Sequence, residues 1–255
     1  MGSVDTFQCA CIESPGLERL RYFPRQLLTA DDMRVEQEYF REKQRRHNRF
    51  LHGWGVVSGL LVMIDPKTGP LALTICPGYA LGPCGDEIYV PEPVPFDLTP
   101  TTQKLAQPSC ANLGVSTAAL ESGQLALVIR YAECQARPVR TLPAGCGCDD
   151  AACEFSRIRD GFEIRAIPKP KAGGGNPGTT KSLCEIEGNI AANMPAFVAK
   201  PTSDWVALAT VTIQAVHGGG VAALSAKSID NGTRRVLHST VAIQGQVIQC
   251  CCDSR

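Results

Sequence analysis

The chain has 255 residues, of which 44% are hydrophobic and 20% charged, and its formal net charge is zero. This is ordinary for a folded protein with a sizeable core, as one large β domain or two small ones. A pI near 6.9 excludes a global positive field for nucleic acid. The longest apolar run, residues 55–64, is too short and too interrupted by glycine to cross a bilayer, which argues against membrane insertion.

The first part of the chain is predicted to be an arm followed by one long polar helix. Thr29 is a favourable N-cap, and Asp32 stands three residues later, where a capping box has its acidic partner. Acidic residues crowd the first turns and basic residues the last, which complements the helix macrodipole. Gly53 and Gly55, on either side of Trp54, are predicted to end the helix.

This helix has only a thin apolar stripe at three-to-four spacing. The stripe consists of Met33, Phe40, His47 and Leu51, and is interrupted by Gln37 and Gln44. Such a polar helix either lies solvated on its own domain or lies between subunits, where its charges find partners. A salt-bridged face is favoured over a nucleic-acid patch, because aromatic platforms and further basic segments are absent.

Short β-type segments alternate with glycine and proline turns along the rest of the chain. The predicted strands are residues 56–65, 71–76, 87–90, 124–131, 155–167, 205–214 and 221–229, the first two forming a hairpin. Prolines at 91, 93 and 95 favour an edge segment. The remaining segments are predicted as a loop with a short helix at 100–121, a loop at 133–152, a short helix at 183–198 and a final extended or helical segment at 236–248.

These elements predict a mainly β fold: a sandwich- or barrel-like body with a long N-terminal α-helix and an extended N-terminal arm. We divide the chain into residues 1–53, the arm and long helix, and residues 54–255, the β-rich body. The body includes a cysteine-containing loop at 134–153 and a flexible, glycine-rich loop at 168–182.

Thirteen cysteines are present, an odd number that leaves at least one unpaired within a monomer. Cys134, Cys146, Cys148 and Cys153 could close a tetrahedral zinc site. Their spacing is not that of two C-x-x-C knuckles, so disulfides within the loop and unbonded thiols remain alternatives. The cysteines near the two termini could bridge the chain ends, cross-link subunits or have no role.

No catalytic motif is recognisable. The sequence contains no nucleophile elbow, phosphate loop, zinc-protease helix or dinucleotide fingerprint. We therefore predict no catalytic residues, no cofactor apart from that zinc, and a protein that is not an enzyme. The N-terminus has no basic segment followed by an apolar run, so no secretory signal is expected, and synthesis is predicted in the cytoplasm.

Residues 22–60 resemble the start of a poorly characterised family found among phage-tail-like contractile injection systems and related particle clusters. The resemblance is carried by Tyr-Phe-x-x-Gln-Leu-Leu-Thr-Ala-Asp-Asp at 22–32, His-Asn-Arg at 47–49 and His-Gly-Trp-Gly-Val-Val at 52–57. Residues 77–91 resemble the family's Gly-x-Ala-Leu segment followed by Gly-x-Glu-Ile-x-Val, and the stretch from 131 to 165 matches it more loosely.

The resemblance implies a structural role at the baseplate, fibre or surface of a particle. If the protein leaves the cell, we expect it to do so as part of that particle. The partners it implies are further copies of the chain and other particle subunits. The predicted interface consists of Tyr22, Phe23, Gln26, Leu27, Phe40, His47, Arg49 and Trp54. The alternatives are a β-sandwich binding module for a glycan or protein receptor, and a thiol-rich metal-binding protein.

Overall fold

The computed structural model describes residues 16–98, 113–116, 123–140, 153–168, 203–216, 220–221 and 223–239. Within these ranges the predicted fold class, mainly β with one long N-terminal helix, is confirmed. Its strands are β1 (Gly55–Gly59), β2 (Val62–Ile64), β3 (Ala72–Ile75), β4 (Gly78–Leu81), β5 (Glu87–Val90), β6 (Val94–Asp97), β7 (Leu113–Ser116), β8 (Gly123–Arg140), β9 (Cys153–Pro168), β10 (Val206–Ile213), β11 (Ala215–Val216), β12 (Gly220–Val221) and β13 (Ile229–Asp230). The predicted division into two parts is untested and stays a prediction.

The long helix, α1, spans Ala30–His47 and continues as a π-helical turn over Asn48–His52. Thr29 and Asp32 form the predicted capping box, and Gly53 ends the helix at a φ of 80°. Both predicted helix boundaries are therefore confirmed.

Two small antiparallel sheets follow the helix, in the orders β1-β4-β5 and β2-β3-β6. The predicted hairpin is confirmed as β2 and β3, which pair from Val62 with Ile75 to Ile64 with Leu73. Strand β6 contains Pro95 and lies at the edge of its sheet, as the prolines predicted.

The prediction of one continuous strand over residues 56–65 is wrong. The chain turns at Gly59 and Leu60, whose φ angles are 62° and 52°, so that β1 and β2 join different sheets. Leu60 is fully buried despite this unfavourable backbone conformation. Burial of its side chain therefore helps to hold the turn that separates the two sheets.

The third sheet is larger, with the order β13-β10-β8-β9-β7, and β11 pairs with β12 as a separate small ribbon. Strand β7 pairs in parallel with β9, in a stretch predicted as loop. The predicted strand at 221–229 is also wrong as one element, because a 3-10 turn at Ala226–Ser228 intervenes before β13.

Strands β8 and β9 extend beyond this sheet as a two-stranded ribbon. Their pairing runs to Arg140 opposite Cys153, whereas β10 pairs with β8 only as far as Ile129. The prediction of a loop from residue 133 is therefore wrong for 133–140. The Tyr131 hydroxyl donates a hydrogen bond to Asp160 (2.6 Å) and Cys134 is buried, so side chains reinforce the backbone ladder at the base of the ribbon.

One hydrophobic core joins the three sheets. Its fully buried members include Leu73, Ile88, Leu127 and Leu208. The segment after β13 is bonded to strand β2, which contributes Val62 to this core: the backbone N–H of Val62 donates to the Asn231 side-chain oxygen, and the Asn231 side-chain nitrogen donates to the Val62 carbonyl. The predicted helix at 183–198, residues 240–248 of the predicted final segment at 236–248, and the loop at 168–182 beyond its first residue lie outside the described residues.

Replacing Gly59 by alanine is expected to lower the free energy of unfolding by at least about 2 kcal/mol, through the positive φ and a steric clash. An added Cβ would lie 2.0 Å from the carbonyl oxygen of Pro77. Gly69→Ala is the control, because nothing approaches its Cβ position closer than 3.9 Å, and its effect should stay within about 0.5 kcal/mol. Urea denaturation of both variants measures the difference, and equal stabilities would contradict this account of the turn.

Candidate interaction surface

Helix α1 and the arm before it expose an unusual amount of apolar side chain. None of the 18 residues of α1 is buried. Leu27 is 84% exposed, Phe40 60% and Leu51 69%, and Tyr22, Phe23 and Met33 are exposed as well. We call residues 22–28 together with the stripe of Met33, Phe40, His47 and Leu51 the arm–helix surface. Contiguous exposed apolar residues of this kind are typical of binding surfaces.

The arm is held against the first turns of the helix. The Tyr22 hydroxyl donates a hydrogen bond to the Glu36 carboxylate, and this bond raises the pKa of Tyr22. Within the arm, the backbone N–H of Phe23 donates to the Gln26 side chain at 3.2 Å, and the backbone N–H of Gln26 donates to the Phe23 carbonyl. The exposed aromatic rings are therefore presented on a folded segment.

The other end of the helix is bonded to the body. Arg45 Nε donates to Asp86 Oδ1 at 2.6 Å, and Asn48 Nδ2 donates to the carbonyl oxygen of Gly85 at 2.9 Å. Arg41 adds an ion pair of 2.6 Å with Glu133 of the ribbon. We call these three contacts the junction. They connect α1 to the turn between β4 and β5 and to strand β8.

The junction is tight as well as polar. Asn48 is buried, and the backbone of Gly85, with a φ of 93°, approaches the helix so closely that a Cβ there would lie 2.2 Å from the Arg45 carbonyl oxygen. Burial by itself lowers the pKa of Arg45, but Asp86 and Glu42 outweigh it and raise that pKa. The guanidinium therefore remains charged and paired at any physiological pH.

The apolar stripe points away from the junction. At 100° per residue, the stripe lies about 100° around the helix from the junction residues. Fixing the helix to the body therefore leaves the stripe in solvent. The basic residues of the helix are largely paired, Arg34 with Asp31 and Arg45 with Glu42 as well as Asp86, which confirms the predicted salt-bridged face.

The predicted interface residues divide into two groups. Tyr22, Phe23, Leu27, Phe40 and His47 are exposed on the arm–helix surface. Gln26, Arg49 and Trp54 are half-buried.

Trp54 packs within its own chain. Its ring packs against the core and lies under the guanidinium of Arg235, 4.5 Å from the ring centroid. That face of the indole is therefore already used within the chain. The predicted interface role of all these residues stays a prediction.

Sequence reasoning missed the junction. In the sequence, Asn48 stands out only as part of a family-like motif, and Asp86 only as part of a turn. Asn48 is a short amide residue among long basic ones at the end of the helix, which is only a weak signal for a buried contact. Nothing in the sequence indicates that its partner is Gly85. The junction brings together two of the stretches that carried the family resemblance, residues 47–49 and 85–90.

A second charged cluster lies where the ribbon meets the five-stranded sheet. The nearly buried Glu163 accepts hydrogen bonds from Arg130 and Arg165, and Arg130 also donates to Asp204 at 2.9 Å. The Arg130 guanidinium lies 4.7 Å from the centroid of the Trp205 ring. Both carboxylates are paired with arginine, so this cluster cross-links β8, β9 and the entry to β10.

The predicted zinc ligands are only partly within the described ranges. Cys134 is buried and disulfide-bonded, Cys146 and Cys148 lie outside, and Cys153 is the first residue of β9. A disulfide sulfur is not the thiolate that zinc binds, and the predicted four-cysteine zinc site stays a prediction. Cys84 is also disulfide-bonded and Cys76 is free. The described residues contain no cluster of three His, Cys, Asp or Glu that could hold a metal.

Comparison with known proteins adds little. The chain matches no protein family and no curated protein by sequence. Among solved structures, a crystal structure of TssK aligns with 77% of this chain and 39% of its own, at 11% identity and a TM-score of 0.33. A likeness at that level carries no argument about fold or function. In the described part of the chain, no helix is both long and apolar enough to cross a membrane.

Arg45→Met should lower the free energy of unfolding by about 1.5–3 kcal/mol, because Asp86 loses a charge-assisted hydrogen bond in a partly buried position. Arg34→Met is the matched control on the same helix. Its ion pair with Asp31 is exposed, so its loss should cost less than about 1 kcal/mol. Urea denaturation compares the two, and equal losses would show that the junction contributes no more than a surface pair.

The start of the helix should loosen in acid. Hydrogen bonds from the side chain and backbone of Thr29 lower the pKa of Asp32 below its ordinary value of 3.8. The carboxylate therefore stabilises the cap above that value, and the contribution is lost as the pH falls through the lower folded-state pKa. The amide signals of Thr29 and Asp32, followed by NMR between about pH 5 and pH 2, should move together. Asp32→Asn should remove this titration, and an unchanged curve would contradict the assignment.

Proposed function

We propose that this chain is a non-enzymatic structural subunit of a phage-tail-like contractile particle, in the baseplate, a fibre or the particle surface. It acts by docking other subunits through the arm–helix surface. The observation that carries the proposal is a folded, firmly attached helix that buries none of its own side chains. Synthesis in the cytoplasm and release with the particle are part of the same proposal.

The energetics of the helix support docking. A single helix of 18 residues is marginal in water, and most helical stability in proteins comes from packing an apolar face. Here the apolar stripe has no packing partner within the described chain, and only one end of the helix is bonded to the body. A partner that covers the stripe would supply the missing contribution.

The chemistry of the surface supports a protein partner. Exposed Tyr22, Phe23 and Phe40 are large rings of the kind that anchor protein interfaces, and charged residues surround them. The junction holds α1 in one orientation, so ordering this surface on binding costs little further entropy. The choice of a contractile particle comes from the resemblance of residues 22–60 and 77–91.

Phe23→Ala combined with Leu27→Ala should reduce incorporation of the subunit into native particles at least tenfold, roughly the loss of two anchor contacts. Met63→Ala combined with Tyr89→Ala is the control, since both side chains are exposed on the body. Quantitative immunoblotting of sedimented particles measures incorporation, and circular dichroism checks that both variants fold. Equal incorporation of the two double variants would contradict the proposal.

Electron microscopy of the native particle provides the direct test. The expected result is density from neighbouring subunits over residues 22–51. A particle in which this segment faces solvent, or a subunit that is absent from particles altogether, would overturn the proposal. Glycan or receptor binding by the β body without particle incorporation would favour the binding-module alternative.

A further inference from the structure

We infer that two copies of this chain pair through their α1 helices in an antiparallel arrangement, with a twofold axis next to Phe40. The inference rests on the proposed function in using the same surface, and it names one of the partners as a second copy of the chain. Three independent features of the helix lead to it: the spacing of the stripe, the distribution of charge along the axis, and the side chains on each flank.

The stripe has the spacing of a coiled-coil seam. Met33, Phe40 and His47 are seven residues apart, and together with the intervening Ala30, Gln37 and Gln44 and with Leu51 they follow the three-and-four spacing of a heptad seam between two packed helices. In heptad notation, Met33, Phe40 and His47 occupy d positions, and Ala30, Gln37, Gln44 and Leu51 occupy a positions. Polar residues at a weaken such a seam but restrict its register and partner.

Charge decides the direction of pairing. The first turn of α1 contains Asp31 and Asp32, and the last turn contains Arg45, Arg46 and His47. A parallel pair would place the acidic ends together and the basic ends together. An antiparallel pair places each acidic end beside the basic end of the other copy, and it sets the two helix macrodipoles in opposite directions. Side-chain charges and macrodipoles therefore both favour antiparallel pairing.

The flanks of the seam fit the same register. In an antiparallel pair centred on Phe40, residue i lies opposite a residue near 80 − i of the other copy. Glu36 of one copy then faces Lys43 of the second copy, and the symmetry repeats the contact. The opposite flank holds Arg41 and Asn48, which already bind the body. The flank with complementary charges is therefore that of Lys43 and Glu36, whose carboxylate also accepts the hydrogen bond of the Tyr22 hydroxyl.

The ends of the seam are also complementary. Leu51, 69% exposed beside the body, would lie near position 29 of the second copy. There the arm presents Leu27 and Leu28, which are exposed as well. The contacts of Arg45 and Asn48 with the body lie in the last turns of each helix, so the antiparallel arrangement places these contacts of the two copies toward opposite ends of a helix pair about 30 Å long. Each arm would then contact the other copy close to its junction.

A charge-reversal cycle tests the arrangement. Sedimentation velocity on the full-length chain, over a range of concentrations at low salt, gives the dimer dissociation constant. Glu36→Lys and Lys43→Glu should each raise it at least tenfold, about what two like-charge contacts per dimer cost. The dissociation constant of the double variant should return to within about threefold of the wild-type value. In a parallel pair, position 36 would face Arg41 instead of Lys43, and the double variant would not recover.

Phe40→Lys should abolish pairing, because it places two ammonium groups across the twofold axis. Val35→Lys is the matched control: Val35 is 42% exposed on the same helix but lies on the side opposite to the stripe. It should leave the dissociation constant unchanged, and circular dichroism should show intact helix in both variants. If Val35→Lys weakened dimer formation as much as Phe40→Lys does, the inference would be overturned.

A wild-type chain that stays monomeric at every concentration, with its helix intact, would also overturn it. The proposed function would survive that result if residues 22–51 were covered by other subunits in the native particle. Conversely, if the charge-reversal cycle behaves as expected but native particles leave the segment bare, the pairing stands and the proposed function fails.

Discussion

A helix that buries none of its own side chains keeps its position because its last two turns are bonded to the body at the junction. Arg45 pairs with Asp86, Asn48 reaches the carbonyl of Gly85, and Arg41 adds a contact to Glu133. Only Asn48 is fully withdrawn from solvent. These contacts are polar and directional, so they set the rotation of α1 about its axis, which apolar packing of so thin a stripe would not do. That rotation determines which face of the helix is available to partners.

The body is built so that the junction can form. The turn at Gly59 and Leu60 sends β1 and β2 into different sheets, and β4 then pairs with β1 and leads into the turn that contains Gly85 and Asp86. The extended ribbon of β8 and β9 brings Glu133 to Arg41, about one turn before Arg45 on the same side of the helix. Contacts to two separate elements restrain the direction of the helix axis better than one contact would. The shared hydrophobic core keeps those two elements in fixed relative positions.

Several features could be predicted from the sequence because their physical cause is local. The cap at Thr29, the stop at Gly53, the hairpin of β2 and β3 and the edge position of Pro95 all depend on residues close together in the chain. The errors arose where distant residues decide. Residues 56–65 have the sequence pattern of one strand, but the chain turns at Gly59 and Leu60. Residues 133–140 have the pattern of a loop, but they form strand because β9 pairs with them.

The sequence by itself determined the mainly β class, the length and caps of the helix, the separation of its acidic and basic ends, and the spacing of its stripe. Each of these follows from side-chain chemistry within a few turns of helix or residues of strand. Only the tertiary structure decided which face of the helix binds the body. That choice depends on Gly85, Asp86 and Glu133, which lie about 40 to 90 residues beyond their partners. No local preference links positions so far apart, and only the packed core brings them together.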